Sequence, residues 1–193
     1  LDGGSTDDGR PYLVMEYVEG EPVDRYCARS GLGIRERVEL FAKVCDAVAH
    51  AHRNLVVHRD LKPGNVLVPA NGEPKLIDFG IATRLSRESH SVDHPALLEG
   101  TLAYISPEQT GRMNCAVDAR SDLYSLGATF YALLAGHPPF RCDDPIGFVH
   151  AHIALECPAL NASVPAPIAQ IVAKLMAKSV DDRYQTARGV VHD

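Results

Sequence analysis

The chain has 193 residues, 46% hydrophobic and 23% charged, which suits one globular domain with a sizeable core. A net charge of −6 with no long run of Lys or Arg excludes a nucleic-acid or anionic-membrane surface as its main business, and no apolar run reaches the length of a membrane span. Five cysteines without a Cys-x-x-Cys pair, and a polar, acidic start with no secretory signal, point to free thiols in the cytoplasm.

Residues 1–11 have the composition of a Gly/Ser/Asp-rich loop. Residues 11–18 are rich in β-branched and aromatic side chains and predict a strand, broken at Glu19-Gly20-Glu21-Pro22. A short helix is expected over 22–29, with Pro22 near its start. The clearest amphipathic helix spans 34–53, where Val38, Phe41, Val44 or Cys45, and Val48 recur at helical spacing. His50 and His52, like His150 and His152, stand two apart; such side chains diverge on a helix and make poor metal clamps.

The most informative stretch is residues 56–80. It holds two polar clusters, His58-Arg59-Asp60-Leu61-Lys62-Pro63-Gly64-Asn65 and Asp78-Phe79-Gly80. Two short strands lie between them, 66–68 and 75–77, joined by a turn over 69–74 that contains Asn71-Gly72. A tight hairpin brings Asn65 and Asp78 to one end of the pair. Asp60, Asn65 and Asp78 then supply oxygen ligands for a hard cation and one carboxylate to handle a proton.

The order and separation of these clusters resemble the catalytic loop (58–65) and metal-binding motif (78–80) of the eukaryotic-type, or Hanks-type, protein kinases. The resemblance implies that Asp60 orients a substrate hydroxyl and takes its proton. It implies that Lys62 faces the transferring phosphoryl group, that Asn65 and Asp78 hold Mg2+, and that ATP is the donor. Leu67 would lie beneath the adenine ring, Met15 would be the gatekeeper, and the backbone of Glu16 and Val18 would meet adenine. His58 is expected to pack and hydrogen-bond locally, with Phe79 and Gly80 as structural support.

Residues 81–100 lack periodicity and match that family's activation segment, 78–108. Ser86, Ser89 and Ser91 are candidate phosphosites that Arg59 would pair with; a solvated serine-rich loop without regulation is the equal alternative. Gly100-Thr101 through Ser106-Pro107-Glu108 resembles the segment that receives the substrate. Thr101 would hydrogen-bond Asp60 and Lys62, a Ser/Thr-kinase pattern. Gln109 through Asn114 reads as a polar loop. A second strong helix covers 118–135, with Leu123, Leu126, Phe130, Leu133 and Leu134 on one face. By resemblance Asp122 accepts backbone donors from the catalytic loop; a simple N-terminal charge on the helix dipole is the alternative. Gly136 and Pro138 stop that helix. Further helices are expected over 146–155, over 165–178 with Ile168, Ile171, Val172, Leu175 and Met176 on one face, and from a capping box at 179–182. Arg183 resembles the basic partner of Glu108.

The expected fold is α+β and mainly α-helical, a kinase-like C-terminal lobe whose short β-hairpin carries both motifs. Residues 1–18 would be a small-lobe remnant with the hinge strand, and residues 19–193 the large lobe. The family's Gly-rich phosphate loop, strand Lys and helix Glu have no counterpart here, since the first Lys is Lys43, inside the long helix. The expectation is a bacterial Ser/Thr protein kinase whose isolated fragment is a poor catalyst. Residues 10–80 resemble single-domain bacterial kinases, and residues 99–114 resemble kinases fused to further signalling domains. The partners implied are ATP and a protein substrate with a Ser or Thr acceptor. The rival readings are a kinase-like binding module without chemistry and a small-molecule phosphotransferase.

Overall fold

The computed structural model describes residues 2–6, 8–9, 11–79 and 100–193. Strands β1 (Asp2–Ser5) and β2 (Pro11–Val14) pair antiparallel. Two expectations change here. Asp2–Ser5 is a strand rather than loop, and β2 ends at Val14 rather than continuing to residue 18. A strand so rich in glycine has little propensity of its own. It forms because β2 supplies hydrogen bonds and because the Tyr12 ring lies over Gly4, where a Cβ would stand 2.7 Å from the phenol oxygen.

Strand β3 (Glu21–Pro22) was not foreseen either. It is the edge of a three-stranded antiparallel sheet, with β4 (Val66–Val68) central and β5 (Lys75–Leu76) on the far side. Pro22 is tolerated because an edge strand has one side without ladder bonds. Helix α1 (Val23–Arg29) follows at once and buries Val23 and Cys27.

Helix α2 (Ile34–Arg53) keeps the expected bounds. The Glu36 carboxylate accepts from the Gly33 N–H at 2.6 Å, satisfying a donor at its start. Leu40, Phe41, Val44, Cys45, Val48 and Ala49 form its buried stripe. Helix α3 (Ala119–Ala135) begins at Asp118, whose side chain accepts from the Arg120 N–H at 2.8 Å, and ends at Gly136 in the left-handed conformation. One apolar face is too narrow a description of it: every residue from Ser121 through Leu133 is buried. Small residues permit this. A Cβ on Gly127 would sit 2.6 Å from the Leu175 Cβ, so glycine lets α5 (Ala166–Leu175) approach closely. On the other side Phe130 stacks on Phe41 of α2 with ring centroids 3.9 Å apart. Helix α4 (Pro145–Ala154) lies between α3 and α5 in sequence.

The capping box at Ser179 does not open a helix. Residues 179–186 run through bends, and α6 (Ala187–His192) starts at Thr186, whose hydroxyl accepts from the Gly189 N–H. Arg183 overrides the local signal: its guanidinium donates to the carbonyls of Ala177, Lys178 and Arg120 as well as to Glu108. The segment folds around that side chain. The result is a mainly helical body with the β4–β5 hairpin beside α2, as the expected fold class requires.

Candidate active site

The hairpin register pairs Val66 with Leu76 and Leu67 with Lys75. The Ile77 N–H then donates to the Asn65 carbonyl at 3.0 Å, so Asp78 emerges beside Asn65. Around Asp60 the side chains interlock. Its Oδ2 accepts from the Asn65 amide and from the Lys62 ammonium, each at 2.9 Å. The same Asn65 Nδ2 donates to the Asp60 carbonyl at 2.8 Å, and Lys62 Nζ reaches the Thr101 hydroxyl at 2.7 Å. Thr101 therefore meets Asp60 through Lys62; no direct bond joins the two among the described residues.

This pattern has chemical consequences. The Asn65 nitrogen is engaged, which leaves its Oδ1 for a cation, and one Asp60 oxygen is left to accept a proton. Asp78 is exposed and held at φ +57°, an uncommon backbone state for a side chain other than Gly, Asn or Asp. Neutral and anionic oxygen donors together suit Mg2+, which takes few protein ligands and fills its octahedron with phosphate oxygens and water.

The loop's backbone is anchored from α3. Asp122, 1% exposed, accepts from the N–H groups of His58 and Arg59 and from His52 Nε2, all at 2.8 Å. It therefore does more than bias the helix dipole. His58 is buried as well. Its Nε2 bonds the Ile77 carbonyl at 2.9 Å, its Nδ1 accepts from the Asp60 N–H at 3.3 Å, and its ring packs on Phe79. Burial pushes its pKa down, although the Asp122 carboxylate acts the other way. A neutral imidazole satisfies both bonds, and His58 ties the catalytic loop to the strand that leads into Asp78.

Where the resemblance expects the substrate to be received, Glu108 and Arg183 form a two-pronged pair at 2.7 and 3.0 Å, with side chains 1% and 0% exposed. Burial alone would raise the Glu108 pKa; the guanidinium outweighs it and holds the carboxyl below its usual range. Two further groups were missed in the sequence. Gln109 is buried and donates to the Arg59 carbonyl at 2.6 Å; the Ser106-x-x-Gln109 spacing of a capping box was the available signal. Lys178 bonds the Tyr124 hydroxyl at 3.1 Å and the His152 carbonyl at 2.9 Å, and desolvation lowers its pKa to about 8. No local pattern marks it.

The residues expected at the nucleotide side are placed more openly. Met15 is 44% exposed, and Glu16 and Val18 lie on the chain between β2 and β3. Glu16 pairs with Lys75, the register partner of Leu67, at 3.0 Å. Gly80 and the serines Ser86, Ser89 and Ser91 lie outside the described residues. Arg59 is exposed beside Asp60.

Comparison with known proteins decides the family. The protein kinase domain matches residues 4–193. The chain belongs to the protein kinase domain family. This kinase domain is 40% identical over 182 residues to the serine/threonine-protein kinase PknB of Mycolicibacterium smegmatis, covering 92% of the chain and 29% of that protein. It is 38% identical over 181 residues to PknB of Mycobacterium tuberculosis, again covering 92% and 29%. It is 39% identical over 186 residues to PrkC of Bacillus subtilis, covering 94% and 28%. The kinase domain thus spans less than a third of the length of these relatives.

Proposed function

We propose that the protein containing this chain transfers the γ-phosphoryl group of ATP to Ser or Thr hydroxyls of protein substrates. The observation that carries the reading is the interlocked set of Asp60, Lys62, Asn65 and Thr101 beside Asp78, in a chain whose relatives are named serine/threonine-protein kinases. Catalysis of this kind is mostly positioning and charge stabilisation. The free oxygen of Asp60 orients the acceptor hydroxyl and takes its proton. Lys62, held between Asp60 and Thr101, offsets charge on the transferring group. Asn65 Oδ1 and the Asp78 carboxylate would hold Mg2+, which when bound neutralises phosphate charge. Leu67, Met15 and the backbone of Glu16 and Val18 receive the adenine. The Glu108–Arg183 pair holds the acceptor segment in shape.

A reaction that draws on ATP and Mg2+ fits the cytoplasm, which is the location proposed for it. No helix among the described residues is long and apolar enough to cross a membrane. The share of the relatives left unmatched fits fusion to further signalling domains.

The test is the full-length protein with labelled ATP and Mg2+. Label should enter Ser or Thr, and Asp60→Asn should lower kcat by about 10²–10⁴-fold while ATP still binds. Equal activity in that variant would remove Asp60 from the chemistry. An inactive natural protein that still binds partners would favour the binding-module reading.

A further inference from the structure

Arg59 has φ +66°, a left-handed conformation that is sterically unfavourable for a residue with a Cβ. Such a residue keeps this shape only when its surroundings over-determine it. Both of its backbone groups are tied by side chains from elsewhere. The N–H donates to Asp122 Oδ1 at 2.8 Å, and the carbonyl accepts from Gln109 Nε2 at 2.6 Å. The Arg59 carbonyl and the Asp60 N–H belong to one rigid peptide plane, so whatever turns the carbonyl re-aims Asp60. The other hydrogen bond on that plane, from the Asp60 N–H to His58 Nδ1, is longer, at 3.3 Å.

Gln109 is itself locked. Its Oε1 accepts from the Ser106 hydroxyl at 2.9 Å and from the Ser106 N–H at 3.3 Å, which fixes which end of the amide faces Arg59. It belongs to the short 3-10 turn Pro107–Thr110, whose residues Pro107, Glu108 and Gln109 are all buried. Glu108, next to it, is clamped by Arg183. Asp60, Thr101, Tyr104 and Gln109 also share the lining of a cavity of about 30 Å³ next to the catalytic loop.

We infer that Gln109 is a positioning residue: its amide couples the Pro107–Thr110 turn of the acceptor segment to the Arg59 carbonyl and so sets the direction of the Asp60 carboxylate. The inference rests on the phosphoryl-transfer reading for its kinetic consequence but not for its structural one.

Gln109→Glu in the full-length protein separates the roles. Its oxygens still accept from Ser106, so the turn remains capped, but an acceptor replaces the donor facing the Arg59 carbonyl. We expect kcat to fall by about 10–100-fold, the scale of a small misalignment, with KM for ATP unchanged. In the Asp60→Asn background the same substitution should cause little further loss, since there is no carboxylate left to aim. The Asp60 amide resonance should shift in Gln109→Glu and in Gln109→Met, with or without substrates. Unchanged kcat, a full additive loss in the Asp60→Asn background, or an unmoved Asp60 resonance overturns the inference. If the natural protein transfers no phosphate, the functional reading fails instead, and the resonance alone decides the coupling: a shift upholds it, and an unmoved signal overturns it.

Discussion

The two sides of the site are built differently. On the acceptor side, Asp122, Glu108 and Gln109 are 1%, 3% and 8% exposed, and each bonds the catalytic loop or a buried arginine. On the side proposed to receive the nucleotide, Met15 and Tyr17 are 44% and 86% exposed, and Glu16 forms a surface ion pair with Lys75 of the sheet. The helical body dictates the shape of the catalytic loop before any ligand arrives, because unpaired polar groups there would be buried without water. Residues 14–17 are exposed, and the chain closes on this body only at Gly20, where a Cβ would stand 3.0 Å from the Val68 backbone, among the described residues.

The strongest way to break the contrast is to unpair the buried side. Arg183→Met should destabilise the domain by about 3–5 kcal/mol, because it strands the Glu108 carboxylate and frees the carbonyls of Ala177, Lys178 and Arg120. Denaturant unfolding measures it. A cost below about 1 kcal/mol, the range of surface pairs, would show that the acceptor side is not held this way.

Which parts were legible follows the same division. The Ile34–Arg53 helix, the hairpin and the approach of Asn65 to Asp60 came from local signals: periodicity, an Asn-Gly turn and close spacing. Asp122 and Arg183 rested on resemblance, since their partners lie 63 and 75 residues away. The misses arose where tertiary demand overrode local preference. Ser179 looks like a cap, yet Arg183 draws its segment out of helix. Asp2–Ser5 looks like loop, yet β2 supplies it with a partner. Gln109 and Lys178 look like ordinary surface polar residues, and only packing reveals what they bond.

A second, smaller effect follows from pH. His152 is fully buried between Tyr124 and Phe140; burial pushes its pKa from the ordinary 6.5 to about 4, the Lys178 ammonium adds to the shift, and the backbone of Leu102 and Ala103 opposes it. The unfolded imidazole takes up a proton as pH falls below 6.5, while the folded one refuses it until about 4. Stability is therefore complete above pH 6.5 and falls towards pH 4, by up to about 3 kcal/mol from this residue. His58 shifts in the same direction. Other groups titrate in the window, so the measure is a difference: stability at pH 7, 5.5 and 4.5 should fall less steeply in His152→Gln than in the natural chain. Equal slopes would mean that His152 is not kept neutral by its burial.

The smallest expected effect lies on the open side. Glu16 and Lys75 are 78% and 48% exposed and stand 3.0 Å apart, so water screens their attraction and holding two long side chains offsets much of it. Glu16→Gln should change stability by less than about 1 kcal/mol, and 1 M salt should erase what difference there is, because charges in water decouple over about 3 Å at that ionic strength. The adenine contact expected of residue 16 is made by its backbone, so ATP binding by the full-length protein should also survive the substitution. A loss of more than 2 kcal/mol, on the scale of a buried pair, would place the nucleotide side under the same rigid control as the catalytic loop and dissolve the contrast between them.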